Sequence, residues 1–295
     1  MIVSASYRTD IPAFYGAWFM RRVRAGSCTV GNPYGRPYTV RLDREAVSGF
    51  VFWTRNAGPF LPVLRRLASD GYPFVVQYTL NAYPRVLEAS VIGPARAAEQ
   101  IHAIAREFGP RVVVWRYDPV IVTSATPISS HAARFARLGE SLAGAVDEVV
   151  VSFASFYRKT RRNLDRAGGV DGLDWADPPA ECKRETIARL AGIAGEFGMT
   201  LTVCAQPDLV AGDAGEASCI DAARMSDVAG VPVPARLKGN RPGCRCHESR
   251  DIGAYDTCPH GCIYCYAVSS PRAARARHAR HDPDGPALAV DIGIG

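Results

Sequence analysis

No stretch of this 295-residue chain is apolar for long enough to cross a bilayer. The opening MIVSASYRTDIPAFYGAWFM lacks the charged start and unbroken apolar core of a secretory signal. The expectation is therefore a cytoplasmic protein with no membrane partner. Histidine is scarce, with six residues, and no His-x-His pair or acidic cluster of the barrel metallohydrolase kind is present. That leaves a metal-dependent hydrolase using Asp10, Asp118 and histidines as the least supported enzyme class. Acidic residues are in the minority, 29 against 35 Lys and Arg, for a net charge of +6. Part of the excess is local: Arg272, Arg275, Arg277 and Arg280, with His278 and His281, form a run that either touches phosphate or is a solvated tail.

What is present in quantity is apolar: 47% of residues, enough for a packed core. Short β-branched runs recur at IVSAS (2–6), GFVFWT (49–54), FVVQYTL (74–80), VVVWRY (112–117), EVVVSF (148–153) and LTVCA (201–205). Each is continuously apolar and bounded by Gly, Pro or charge, the pattern of a strand buried on both faces. Amphipathic helices are predicted between them at about 11–24, 58–69, 94–108, 128–143 and 179–197. Alternation of this kind predicts a parallel sheet, here a single TIM-type (β/α) barrel, complete or partial. The βα units occupy 1–206. Residues 207–250, rich in Gly, Pro and charge, read as an irregular segment carrying cysteines. Residues 251–281 make a final βα unit, and 282–295 a tail.

In a parallel sheet the C-terminal strand ends share one face, where ligands bind. Polar groups follow each predicted strand there: Arg8 and Asp10, Arg55 and Asn56, Asn81, Arg116 and Asp118, Arg158 and Lys159. Each taken singly is as well read as a cap or turn former. Together they suggest a site, with Arg8, Asp10, Arg116 and Asp118 as its catalytic candidates and Asn56 as a cofactor contact. The positive members point to an anionic substrate, a small molecule or a nucleotide.

The chain has nine cysteines, and five of them fall within residues 244–265. Clustered cysteines in a reducing compartment more often mean metal or redox chemistry than disulfides. Cys258, Cys262 and Cys265 stand as C-x-x-x-C-x-x-C. Zinc usually gathers four ligands. A three-cysteine iron–sulfur cube leaves one iron open, while a zinc knuckle completed by His260 or Cys246 is the structural alternative. Cys204, Cys219, Cys244 and Cys246 remain; a buried thiol such as Cys204 is also simply a small apolar side chain. Cys28 and Cys182 read as unpaired and structural.

The stretch C-P-H-G-C-I-Y-C resembles the radical S-adenosylmethionine signature. That resemblance implies a [4Fe–4S] cluster on Cys258, Cys262 and Cys265 and S-adenosylmethionine chelated at the open iron. It also implies an electron donor such as flavodoxin or ferredoxin, a 5′-deoxyadenosyl radical acting on substrate, and Tyr264 packed near the adenine. The chain as a whole is similar to an uncharacterised bacterial family, domain of unknown function 1848, in S-A-S-Y-R-T-D-I-P-A-F-Y (4–15), V-F-W-T-R-N (51–56), W-R-Y-D-P (115–119), S-C-I-D (218–221) and 244–267. This second resemblance implies cysteine at 204, 219, 244 and 246 as a further site for an Fe–S cluster or zinc. W-R-Y-D-P bears a slight likeness to strand ends of the spore photoproduct lyase branch. Radical S-adenosylmethionine barrels usually carry the cysteine loop after their first strand. Here it comes last, so the first βα unit is expected to be permuted to the C-terminus, with a strand at 252–257 beside the strand at 2–6. The competing reading is an Fe–S or zinc protein that binds nucleic acid and uses its cluster structurally.

Overall fold

A computed structural model describes residues 1–31 and 36–289. Its centre is an all-parallel sheet of eight strands: β1 (Ile2–Ala5), β2 (Gly49–Thr54), β3 (Phe74–Thr79), β4 (Val113–Val120), β5 (Glu148–Phe153), β6 (Thr200–Val203), β7 (Gly215–Glu216) and β8 (Ser249–Asp251). The spatial order is β7-β6-β5-β4-β3-β2-β1-β8. Neighbours in sequence are thus neighbours in space, except that β8 lies beside β1, with Ile2 opposite Ser249 and Ser4 opposite Asp251. The sheet is open: β7 and β8 are its two edges, and a complete barrel is not formed.

Nine helices accompany it among the described residues: α1 (Ile11–Phe14), α2 (Gly16–Arg24), α3 (Leu61–Ser69), α4 (Pro94–Phe108), α5 (Ile128–Leu142), α6 (Arg158–Asp171), α7 (Ala180–Glu196), α8 (Ala222–Ala229) and α9 (Pro271–Ala279). The strands alternate as their sequences dictate. Phe50, Phe52, Phe74, Val76, Trp115, Val149 and Val151 point into the core shared with α2 to α5 and α7. Ile2, Val51, Val75, Val114 and Val150 point the other way, onto a second layer of Cys219, Ile220, Met225, Val233 and Cys246. This second layer is the supposedly irregular stretch 207–250, which holds α8 as well as loops. It bridges the open edges at one point, where the His247 N–H donates to Ile220 O at 2.9 Å.

The predicted strands and helices recur within three residues at each end, the helix expected at 11–24 being interrupted at Tyr15, with three further differences. The strand expected at 252–257 is instead 249–251. Ile252 N–H still reaches Ser4 O (3.0 Å), and the chain then turns because Asp251 accepts the Gly253 N–H at 2.9 Å. Gly253 permits that turn: a Cβ there would fall 2.0 Å from Ser6 Oγ. The second difference is α6, unforeseen because RKTRRNLDRAGGVD is dominated by charge and carries few apolar residues. It is fixed by Leu164 and Ala167, packed with Tyr83, Leu87, Ile121 and Tyr264. The third is an antiparallel ribbon of Ser27–Val30 and Tyr38–Arg41. Of the expected tail, residues 282–289 dock rather than stray: Trp18 Nε1–H donates to Gly285 O (3.1 Å), Thr29 N–H to Pro286 O (2.8 Å), and Leu288 is buried. Residues 290–295 lie outside the described part. No helix among the described residues is long and apolar enough to cross a membrane.

His131 of α5 gives the fold a pH dependence. It is fully buried, with Nδ1 2.8 Å from the Tyr117 hydroxyl and Nε2 3.2 Å from Ile121 O. Burial, helped by nearby Arg134, pushes its pKa down to about 4. The folded chain therefore holds this ring neutral while the unfolded chain protonates it below about 6.5. Stability from this group is whole above pH 6.5, declines as pH falls through that window, and is lost below about 4, a total of about 3 kcal/mol. Urea midpoints compared at pH 7.5 and 4.5 are expected to differ less in His131→Gln than in the wild type. Parallel losses in both chains would overturn this assignment.

Candidate functional site

The C-terminal strand ends carry three connected groups of polar side chains. The first lies between β1 and β8. Asp251, at the end of β8, accepts from Ser4 Oγ (2.8 Å), Ser6 Oγ (2.8 Å), Tyr7 N–H (3.1 Å) and Arg8 Nε–H (2.8 Å). Arg8 also donates to Asp251 O at 3.2 Å. Burial works against the Arg8 charge, but the carboxylate outweighs it and the pKa is raised. Arg8 is therefore a buried ion-pair partner that locks the last strand to the first.

The second group surrounds the loop 257–269. Thr257, Pro259 and Gly261 shape the loop; Gly261 takes φ +73°, a left-handed turn between Cys258 and Cys262 that suits glycine. Asp10 ties three segments together. Its Oδ1 caps α1 through the Ala13 N–H (2.9 Å), and its Oδ2 accepts the Arg55 N–H and lies against His260 Nε2, both at 2.8 Å. The other ring nitrogen of His260 is buried with no partner. Arg55 pairs with Glu88 (2.6 Å) and donates to the Tyr264 hydroxyl (2.8 Å). The same Glu88 oxygen accepts from Tyr264 and from Asn81 Nδ2 (3.3 Å). The segment following β3 grips the loop through its backbone as well, Ser90 N–H to His260 O (2.9 Å) and Ile263 N–H to Leu87 O (3.1 Å).

The three thiols of this loop are free. Burial raises the pKa of each: Cys258 is pushed up by burial, then by Asp10, Cys265 and Cys262. Cys262 is pushed up to about 12 by burial, with Arg55 opposing; Cys265 rises chiefly through burial. Cys258, Cys262 and Cys265 are each only half-buried by surface area. The shift and the area differ because a solvent-touching edge still leaves the sulfur amid protein.

The third group is a polar layer on the inner face, two residues along each strand from the apolar one: Ser4, Trp53, Gln77, Arg116 and Ser152. Trp53 Nε1–H donates to Ser4 Oγ (3.2 Å), and the Arg116 guanidinium lies 4.8 Å from the Trp53 ring centre. Arg116 donates to Gln77 Oε1 (3.1 Å), to Cys219 Sγ (3.0 Å) and to Asp118. Asp118 also accepts from Ser152 Oγ. Four thiols gather here. Cys204 and Cys219 sulfurs are 3.4 Å apart, Ile220 N–H points to Cys246 Sγ at 3.4 Å, and Arg241 approaches Cys204 Sγ at 3.8 Å. Cys219 hydrogen-bonds onward to Cys246, and Cys246 to Cys244, whose pKa that bond lowers to about 6. The contacts run as a chain, Cys204–Cys219–Cys246–Cys244. Among the described residues, no three His, Cys, Asp or Glu side chains are grouped so that they could hold a metal ion.

The strand-end reading gave Arg8, Asp10, Arg116 and Asp118, and the motif resemblance gave Tyr264; the fold brings all five to the strand-end side. Asn56 turns elsewhere, its Oδ1 accepting the Gly58 N–H (3.3 Å) and Gln100 Nε2–H (2.9 Å). Cys28 is buried in the ribbon and Cys182 sits on α7, both free. Sequence reasoning missed Asp251, Glu88, Gln77, Ser4 and Ser152. A signal existed for the last three, each a polar residue interrupting an apolar strand; Glu88 and Asp251 carry none. Two surface hollows, of about 440 and 410 Å³, lie among helices and contain no cysteine. Buried charges and thiols converge instead at the strand ends.

The fold and site define an open parallel α/β protein with two thiol groups at the C-terminal ends of its strands. The chain belongs to the family described as domain of unknown function (DUF1848), which matches residues 2–267. No curated protein and no solved structure matches it.

Proposed function

We propose that the protein is a radical S-adenosylmethionine enzyme acting on an anionic substrate, with Cys258, Cys262 and Cys265 as ligands of a [4Fe–4S] cluster. The observation that carries this reading is three free thiols on one loop at the strand ends, braced by Arg55, Glu88 and Tyr264. The donor set, three thiols, suits a soft polynuclear centre, and a cube accepts sulfurs about 6–7 Å apart given metal–sulfur bonds near 2.3 Å. Such a cluster, when bound, supplies the electron for reductive cleavage of S-adenosylmethionine, with a flavodoxin or ferredoxin as donor.

The chain's own residues hold the loop and shape its surroundings. Asp10 fixes His260 and the Arg55 backbone, and Glu88 with Arg55 pins the Tyr264 hydroxyl. Arg116 and Asp118 are an ion pair on the inner layer, so neither charge stands buried without a partner before substrate arrives. The order β8-β1-β2 to β7 supports reading the sheet as a partial barrel whose cysteine-bearing unit has been permuted to the end. Cys204, Cys219, Cys244 and Cys246 form contacts in a chain rather than around a point. Anaerobic incubation of reconstituted protein with dithionite and S-adenosylmethionine is expected to yield 5′-deoxyadenosine on chromatography. No yield above a Cys262→Ala control, with anionic substrates supplied, would remove the radical reading.

A further inference from the structure

We propose that α6, α9 and the loop between β8 and α9 form a binding surface for single-stranded nucleic acid. On α6, Arg158, Arg161, Arg162 and Arg166 are exposed; so are Arg272 and Arg275 of α9 and Arg280 at its C-terminal cap. The two helices are joined at the surface. Arg162 donates to Ser269 O (3.1 Å), just before α9, and Thr160 Oγ1–H to Tyr264 O (3.4 Å). Lys159 lies 5.8 Å from the Tyr255 ring centre, and Arg277 donates to Tyr255 O at 3.2 Å.

Two features single this surface out. Elsewhere some exposed arginines carry their own carboxylates, as Arg41 with Asp43, Arg65 with Glu107, Arg66 with Asp70 and Arg236 with Glu248, and others such as Arg24, Arg137 and Arg189 stand unpaired among the described residues on separate elements; what distinguishes this surface is seven gathered on two adjoining segments. These seven arginines form no ion pair among the described residues. Unneutralised like charges on adjoining helices repel, and a partner with repeated negative charge relieves that repulsion. The second feature is aromatic. Tyr157, Tyr255 and Tyr266 are 49%, 38% and 44% exposed, and Tyr38 is the one other tyrosine so exposed among the described residues. Tyr157 and Tyr266 ring centres are 6.4 Å apart. Open rings beside free cations are what a single strand uses, phosphates on the cations and unstacked bases on the rings. A duplex keeps its bases stacked and would meet only the charge. The patch reaches over two helices, farther than one nucleotide, which favours a polymer.

The test is fluorescence anisotropy of the full chain with labelled 20-mers of oligo(dT) and oligo(U), against a duplex of equal length, over a salt series. Single strands are expected to bind at least tenfold more tightly than the duplex. The Arg158→Ala/Arg162→Ala/Arg275→Ala chain should bind single strands at least tenfold more weakly. Its log K against log salt slope should be smaller by about 2, at about 0.7 per phosphate contact. Tyr255→Ser/Tyr266→Ser should weaken single-strand binding about tenfold and leave duplex binding unchanged. Unchanged thermal midpoints would confirm that these exposed variants fold. Equal binding of duplex and single strand, insensitivity to the tyrosine pair, or binding to anionic vesicles but not oligonucleotides would each overturn the proposal. The readout needs neither cofactor nor turnover, so it stands or falls apart from the enzymatic reading.

Discussion

A chain with Cys258, Cys262 and Cys265 all replaced by Ala is expected to contain about four fewer irons per molecule than wild type after anaerobic reconstitution, and to lose the matching broad absorbance near 400 nm. The effect should be complete rather than graded. Cubes need thiolates, and burial raises all three thiols' pKa values, so without a cation the loop favours neutral sulfur. A cluster reverses that preference by giving each sulfur a positive partner. Losing one of three ligands exposes a second iron, and Cys262→Ala alone should therefore remove most of the cluster. Cys182→Ala, on α7 and away from the loop, is the control and should leave iron unchanged. The measurement is a difference, because iron held by Cys204, Cys219, Cys244 or Cys246 would appear in both chains. Equal iron in wild type and triple variant would end the assignment of this loop as a cluster site.

Asp251→Ala should destabilise the fold by about 3–5 kcal/mol, the range for stripping one partner from a buried ion pair. Arg8 and Asp251 are both more than nine-tenths buried, and the carboxylate takes five hydrogen bonds from four residues of the first strand end and from Gly253. Alanine would leave a guanidinium and two hydroxyls unpartnered in the protein interior. It would also free the turn that leads from β8 into the cysteine loop. Asp251→Asn, which keeps the shape and most acceptors but drops the charge, should lose less. Urea unfolding of the three chains checks this order. A loss below about 1 kcal/mol for the alanine variant would show that the β1–β8 junction does not depend on this carboxylate.

Much of this arrangement was legible beforehand. Runs such as GFVFWT and EVVVSF are apolar at every position because both faces of those strands are covered, which local sequence records directly. Strand ends such as Y-R-T-D and W-R-Y-D-P announced Arg8, Asp10, Arg116 and Asp118 for the same local reason. Glu88 and Asp251 were not legible: each is an ordinary carboxylate in its own neighbourhood, and its partner lies 33 residues away in Arg55 or 243 away in Arg8. Asn56 was misplaced in emphasis, since a polar residue after a strand can turn toward a helix as readily as toward the ligand face, and Gln100 decided which.

The sequence by itself determined the alternation of strand and helix, the all-parallel sheet and the three-thiol loop, because each depends on residue spacing along one segment. The placing of the last strand beside β1 was expected from the motif resemblance, though at 252–257 rather than 249–251; only the tertiary structure decided that the sheet stays open and that the four other cysteines touch in a chain. It also decided which charges are paired across the core and which, on α6 and α9, are left to solvent. Those outcomes depend on which distant groups can be buried together with their hydrogen bonds satisfied, a condition that no single stretch of the chain encodes.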